Sequence, residues 1–240
     1  MPRSHGIILH RLSYNDTNDI MTVYTREQGA VSFMVSKRRG RGSSAAVAAI
    51  LPPLTLVEAD WEERGSSLQR PRELAVWHSW TTLPYHPHKA AMGLLLAEFL
   101  YRALRSEQAN AGLFDYVSSG LQWLDEADAG YANFHVVFLT HLTRYLGFQP
   151  NIDSYSEGAC FDLRTACYVP VPPLHPDWLS PLEAQQLPLL LRVDVRSMNR
   201  LQWNGKWRRR ALTVLAQYYR LHLAEFPEVR SIEVLAEVFS

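Results

Sequence analysis

Along the first 80 residues apolar positions recur with a period of two. GIILHRL, DIMTVYT and GAVSFMVS are short runs rich in β-branched and aromatic residues, and the third alternates Val31, Phe33 and Val35 against Ser32, Met34 and Ser36. SYNDTND and REQG lie between them and have turn compositions. AAVAAIL follows as a short connector stopped by Pro52 and Pro53, after which TLVEADWEER and ELAVWHSW supply two more strands. Three strands, a connector and two strands is the order of an OB-type β-barrel, and an SH3-like barrel leaves a similar trace.

From Pro87 the period becomes helical. HKAAMGLLLAEFLYRAL carries Ala91, Leu95, Phe99 and Ala103 on one stripe, and NAGLFDYVSSGLQWLDEA carries Leu113, Val117, Leu121 and Leu124. YANFHVVFLTHLTRYLG carries Phe134, Phe138, Leu142 and Tyr145, with Gly147 as its cap. Residues 148–194 are rich in proline and turn formers, as in YVPVPPLHP. WRRRALTVLAQYYRLHLAEF, with Leu212, Leu215, Tyr219 and Leu223, predicts a long amphipathic helix, and SIEVLAEVF a short one. The expected architecture is α+β: an OB-type β-barrel over 1–80, a helical bundle over 81–147, an irregular proline-rich insertion over 148–194, and C-terminal helices over 195–240 packing on the bundle.

Composition narrows the class. A chain of 240 residues with 47% apolar residues has enough core for ordered domains. The apolar run from Ala90 to Leu100 is broken well short of the ~20 residues that cross a bilayer, and MPRSHGIILHRL lacks the apolar stretch of a signal peptide. A cytoplasmic protein with no membrane association is expected, in which Cys160 and Cys167 stay reduced.

The formal net charge is zero, yet it is partitioned. Residues 1–50 carry +4, residues 51–191 carry −8 and residues 192–240 carry +4. Of the 24 cations 21 are arginine, whose planar fork suits phosphate oxygens. Lys37, Arg38, Arg39 and Arg41 directly follow an alternating strand, where OB-type barrels grip nucleic acid. Lys206, Arg208, Arg209 and Arg210 cluster at a helix start, where cations oppose the helix dipole. Two such clusters would neutralise phosphates without reading sequence.

Catalytic signatures are missing from the sequence. It contains no G-x-x-x-x-G-K-[ST] loop, G-x-S-x-G elbow, H-E-x-x-H or paired C-x-x-C. His86 and His88 flank Pro87, which would hold the segment extended with no carboxylate or cysteine nearby in sequence, so no metal site is expected there. His135 and His141 are expected to be ordinary helix residues. No enzyme activity, metal or cofactor follows from these residues. A DNA-modifying enzyme and an RNA-binding or scaffolding barrel are the rival readings.

GIILHRLSYNDTNDIMTVYTREQGAVSFMVSKRRGRGSS resembles the opening of the bacterial DNA repair protein RecO family, through Gly6, Ile7, Leu9, Arg11, Tyr14, Thr25, Gly29 and the Lys37 to Arg41 segment. LAEFLYRAL, NAGLFDYVSSGLQWLD and the turn from Leu146 to Asp153 resemble that family's helical domain, and YYRLHLAEFPEVRSIEVLAEVF its C-terminus. Many members follow the turn with two C-x-x-C pairs that hold zinc. Here Tyr155 and Gly158 occupy the first pair's positions, so zinc is not carried over and the segment must be held by packing, with Phe161 and Tyr168 as candidates.

The resemblance implies a nucleoid-associated recombination mediator that binds single- and double-stranded DNA, engages RecR and the single-strand binding protein SSB, and helps load recombinase or anneal strands. Arg11 and Arg26 join the two basic clusters as expected DNA contacts. Phe99, Arg102, Arg105 and Arg144 are the expected site for the acidic, hydrophobic C-terminal tail of SSB. A monomer is expected.

Overall fold

Strand β1 (Arg3–Ser13) forms an antiparallel meander with β2 (Asn18–Thr25) and β3 (Gly29–Ser36) in the computed structural model, which describes residues 3–37, 51–62, 65 and 67–238. The β1–β2 turn is tied by Asn15, whose Oδ1 accepts the amides of Thr17 at 3.0 Å and Asn18 at 2.7 Å. The β2–β3 turn needs Gly29, at φ 72°, because a Cβ there would lie 2.4 Å from the Glu107 carbonyl oxygen. β4 (Leu56–Trp61) pairs with β1, β6 (Pro71–His78) with β4, and the short β5 (Leu68–Gln69) runs parallel to β3.

The resulting order is β5-β3-β2-β1-β4-β6. In a flat sheet β3 and β4 would stand about 14 Å apart, three spacings of ~4.8 Å. Yet the rings of Phe33 and Trp61 meet edge to face with centroids 5.2 Å apart. The sheet therefore curls around a core of Ile8, Met21, Val23, Phe33, Val35, Val57, Ala59, Trp61 and Leu74. This is the OB-like order expected from the sequence. The AAVAAIL connector lies almost wholly outside the described residues.

Helices α1 (Pro87–Leu104) and α2 (Ala111–Glu126) follow the sheet. Pro87 opens α1 as its first residue, where its missing N–H costs nothing, so it starts a helix instead of holding the His86–His88 segment extended. The predicted stripes are buried, but α1 also buries Met92, Leu96, Leu100 and Leu104. Tyr101 of α1 stacks on His10 of β1 at 4.2 Å, and the Tyr24 hydroxyl donates to the Gln108 carbonyl at 3.1 Å. Asp125 at the end of α2 accepts the amides of Thr81 at 2.9 Å, Thr82 at 2.8 Å and Leu83 at 2.5 Å, fixing the segment that leaves the sheet.

The chain divides into two compact units, 1–126 and 127–240, so the sheet groups with α1 and α2. In the second unit α3 (Phe134–Tyr145) precedes a small antiparallel sheet of β7 (Cys160–Asp162), β8 (Cys167–Val169) and β9 (Trp178–Leu179). The segment expected to be irregular thus contains regular structure, in strands too short to show alternation. Ala159, Phe161, Leu163, Tyr168, Leu179, Ala184 and Tyr218 form its core. α4 (Pro181–Ala184), started by a Ser180–Glu183 capping box, and α5 (Leu187–Arg192) follow. α6 (Gly205–His222) is capped by Asn204, and α7 (Ser231–Val238) ends the described chain. α6 stops before Leu223, and Tyr145, expected on a buried stripe, is exposed. No helix among the described residues is long and apolar enough to cross a membrane.

Candidate nucleic-acid interface

Strand alternation puts Asp19, Met21 and Val23 of β2 on the core face, and register sets Asp19 beside Ser13 and Val35 at the sheet's end. A carboxylate buried there requires cationic partners. Arg11 Nε donates to Asp19 Oδ2 at 2.6 Å, while Lys37 Nζ lies 3.3 Å from Oδ1 and donates at 2.6 Å to both Ser13 Oγ and the Asn15 carbonyl. The two cations expected from sequence to meet DNA thus share one buried acid, leaving a net +1. Arg38, Arg39 and Arg41, which continue the chain from Lys37, lie outside the described residues.

Arg26 stands apart from this group. Its Nε and Nη2 each donate to Asp115 of α2 at 3.0 Å, a bidentate fork that draws the Asp115 pKa down. In the second unit Lys206 and Arg209 are exposed, but Arg208 donates from Nη1 to the Trp203 carbonyl at 2.6 Å, and its burial lowers its pKa. Arg210 Nε donates to Glu183 Oε1 at 2.6 Å. Of the second basic cluster, then, Lys206 and Arg209 present their charge most openly.

The expected partner residues divide. Phe99 is fully buried, which corrects its expected place at a binding surface: α1 has core on the side where Phe99 points. Arg102 is largely buried and pairs with Glu98 one turn back. Arg105 caps α1 and is exposed, whereas Arg144 is exposed in the last turn of α3, in the other unit. A cavity of about 60 Å³ in that second unit has walls of Phe161, Leu190, Leu215, Trp203 and Trp207, with Arg210 among its lining residues. Periodicity gave no sign of it, because its walls come from four separate segments.

His135 is buried, and burial holds its imidazole neutral by lowering its pKa to about 3. His141 Nε2 lies 3.3 Å from the Leu190 carbonyl. Cys160 and Cys167 are free thiols on adjacent strands, and among the described residues no group of three or more histidine, cysteine, aspartate or glutamate side chains gathers as metal ligands do.

Two family models match the chain in order, "Recombination protein O N terminal" over residues 1–80 and "Recombination protein O C terminal" over residues 85–231. The chain belongs to the recombination protein O family. Relatives named DNA repair protein RecO include one from Phocaeicola vulgatus, 44% identical with all of both chains covered. One from Bacteroides fragilis is 41% identical over 100% of this chain and 99% of its own, and one from Christiangramia forsetii is 32% identical over 98% and 97%. The match to RecO proteins therefore runs from the β1–β2–β3 sheet with its cationic end to the C-terminal helices.

Proposed function

We propose that the protein acts in DNA repair as a recombination mediator. It binds single- and double-stranded DNA, works with RecR and SSB in the nucleoid, and promotes recombinase loading or strand annealing, without cofactor or catalysis of its own. The observation that carries this reading is the end-to-end similarity to RecO proteins, with both family models matched in order. The local chemistry supports it: Arg11 and Lys37 are anchored at the sheet's end from which Arg38, Arg39 and Arg41 continue in sequence. Lys206 and Arg209 are a second, weaker contact for phosphates.

A strand-annealing assay with complementary oligonucleotides tests the reading. Annealing should be accelerated by the protein, also when the strands are coated with SSB. Failure to anneal or to bind either form of DNA at low salt would overturn it, and Mg²⁺-dependent cleavage of the strands would replace it with a DNA-modifying enzyme.

A further inference from the structure

Cross-strand register places Leu12 of β1 opposite Ile20 of β2, and Ile20 opposite Met34 of β3. These three alternate with the inward row Arg11, Met21 and Phe33, so they form one row on the sheet's outer face, about 10 Å wide at two strand spacings of ~4.8 Å. The same face is covered further along: Ile7 and Tyr24 are fully buried, and His10 lies under Tyr101 of α1. The cover does not extend over the next row. Leu12 is 56% exposed, and Ile20 and Met34 are half-buried.

Tyr14, 58% exposed, stands beyond Leu12 on a turn whose backbone is fixed by bonds from the Tyr14 and Asn15 amides to the Asn18 carbonyl at 3.2 and 3.1 Å. Among the described residues, Arg70 Nη2 lies 3.7 Å from Met34 Sδ, Arg11 and Lys37 close the sheet's end with Asp19 neutralised between them, and Asp16 is exposed on the turn that carries Tyr14.

We propose that Leu12, Ile20, Met34 and Tyr14 form a base-contacting strip that makes the protein prefer single-stranded to duplex DNA. An exposed apolar row with Arg70 beside it and Arg11 and Lys37 at the sheet's end complements a polyanion that also displays flat apolar plates. An unpaired strand offers those plates, whereas a duplex keeps them stacked inside and presents phosphates alone. Base stacking of this kind tolerates any sequence, as a mediator requires. The inference rests on the proposed DNA-binding function and assigns the part of it that distinguishes the two forms.

The test uses the full chain carrying Leu12→Ser and Tyr14→Ala, both at exposed positions, with Tyr14→Phe as the conservative control. Fluorescence anisotropy at one fixed salt concentration measures binding to a mixed-sequence single strand, a duplex of equal length and a strand of abasic sites. The double variant should lose at least tenfold in affinity for the single strand and less than twofold for the duplex. The wild-type protein should bind the abasic strand no better than the variant does, and Tyr14→Phe should bind like wild type. Parallel loss on single strand and duplex, or no loss on either, would overturn the strip. Loss of RecR binding with both DNA affinities intact would make it a protein-docking face and overturn it equally. Wild-type protein that binds no DNA would instead remove the function on which the strip rests.

Discussion

Lys37 reaches back across the β1–β2 turn to Asp19, its Nζ 3.3 Å from a carboxylate oxygen whose side chain is only 3% exposed. Lys37 is thus the root of the basic segment and is held in place, whereas Arg38, Arg39 and Arg41 continue into a glycine-flanked stretch. Lys37→Glu would set a second carboxylate against a buried one and should lower the melting temperature by several degrees. Reversing Arg38, Arg39 and Arg41 to glutamate should leave melting unchanged and reduce the magnitude of the log–log salt slope of DNA binding by up to ~2.7, for three phosphates at ~0.9 each. Unchanged affinity at low salt in the triple variant would remove that segment from the interface.

Asp125 makes the stability of the first unit depend on pH. Burial pushes its pKa up, but the amides of Thr81, Leu83 and Thr82 together with the Thr81 hydroxyl more than offset that, and the net shift is downward. A carboxyl whose folded pKa lies below its unfolded value adds stability that is fully present above the unfolded pKa and is lost as pH falls through the folded one. The contribution should therefore hold at pH 7 and fade below about pH 4. Asp125→Asn, which sets an NH2 donor against either the Thr81 amide or those of Thr82 and Leu83, should cost about 3 kcal/mol at pH 7 in urea unfolding. The difference between variant and wild type should shrink in acid, and a gap that stays constant down to pH 3 would contradict this account.

Metal analysis checks the small sheet of the second unit. Its core of Phe161, Leu163, Tyr168, Leu179 and Tyr218 supplies the apolar burial that holds this segment together. Purified protein should carry less than stoichiometric zinc, and a chelator should leave its melting temperature unchanged. Phe161→Ala should cost about 3–5 kcal/mol, because the cavity it leaves cannot collapse fully. One tightly held zinc per chain would show that a metal, not packing, organises this segment.

The residues above also mark what sequence can carry. Strand and helix periods were legible because Phe33, Val35, Leu95 and Val117 each repeat within a local window. A stripe identifies a face without saying how much lies against it, and so Phe99 was expected at a surface that α1 does not expose. Ion pairs were illegible for a different reason: Arg26 and Asp115 are 89 residues apart, and Asp19 is 18 from Lys37, so only the fold's register unites them. The outward row through Leu12 was hidden by the bulge between Ile8 and His10, which shifts the alternation of β1 by one residue.

The tail of SSB supplies the last test. An acidic tail with an aromatic tip needs an apolar cavity for the ring and a cation beside it, and the water-poor surroundings strengthen the charge contact. Phe99 provides no cavity, being core itself, and Arg102 is already paired with Glu98. The cavity of the second unit has apolar walls, the indoles of Trp203 and Trp207, and Arg210, whose guanidinium now rests on Glu183 and would exchange that carboxylate for one of the peptide's. In calorimetry at low salt a tail peptide should bind the full chain, and the peptide lacking its terminal aromatic should not. Trp207→Ala and Arg210→Glu, each confirmed folded by its melting curve, should weaken binding at least tenfold, while Arg144→Glu and the triple reversal of Arg38, Arg39 and Arg41 should change it less than twofold. If Arg144→Glu abolishes binding and Trp207→Ala leaves it intact, the tail docks at the end of α3 and not in the cavity.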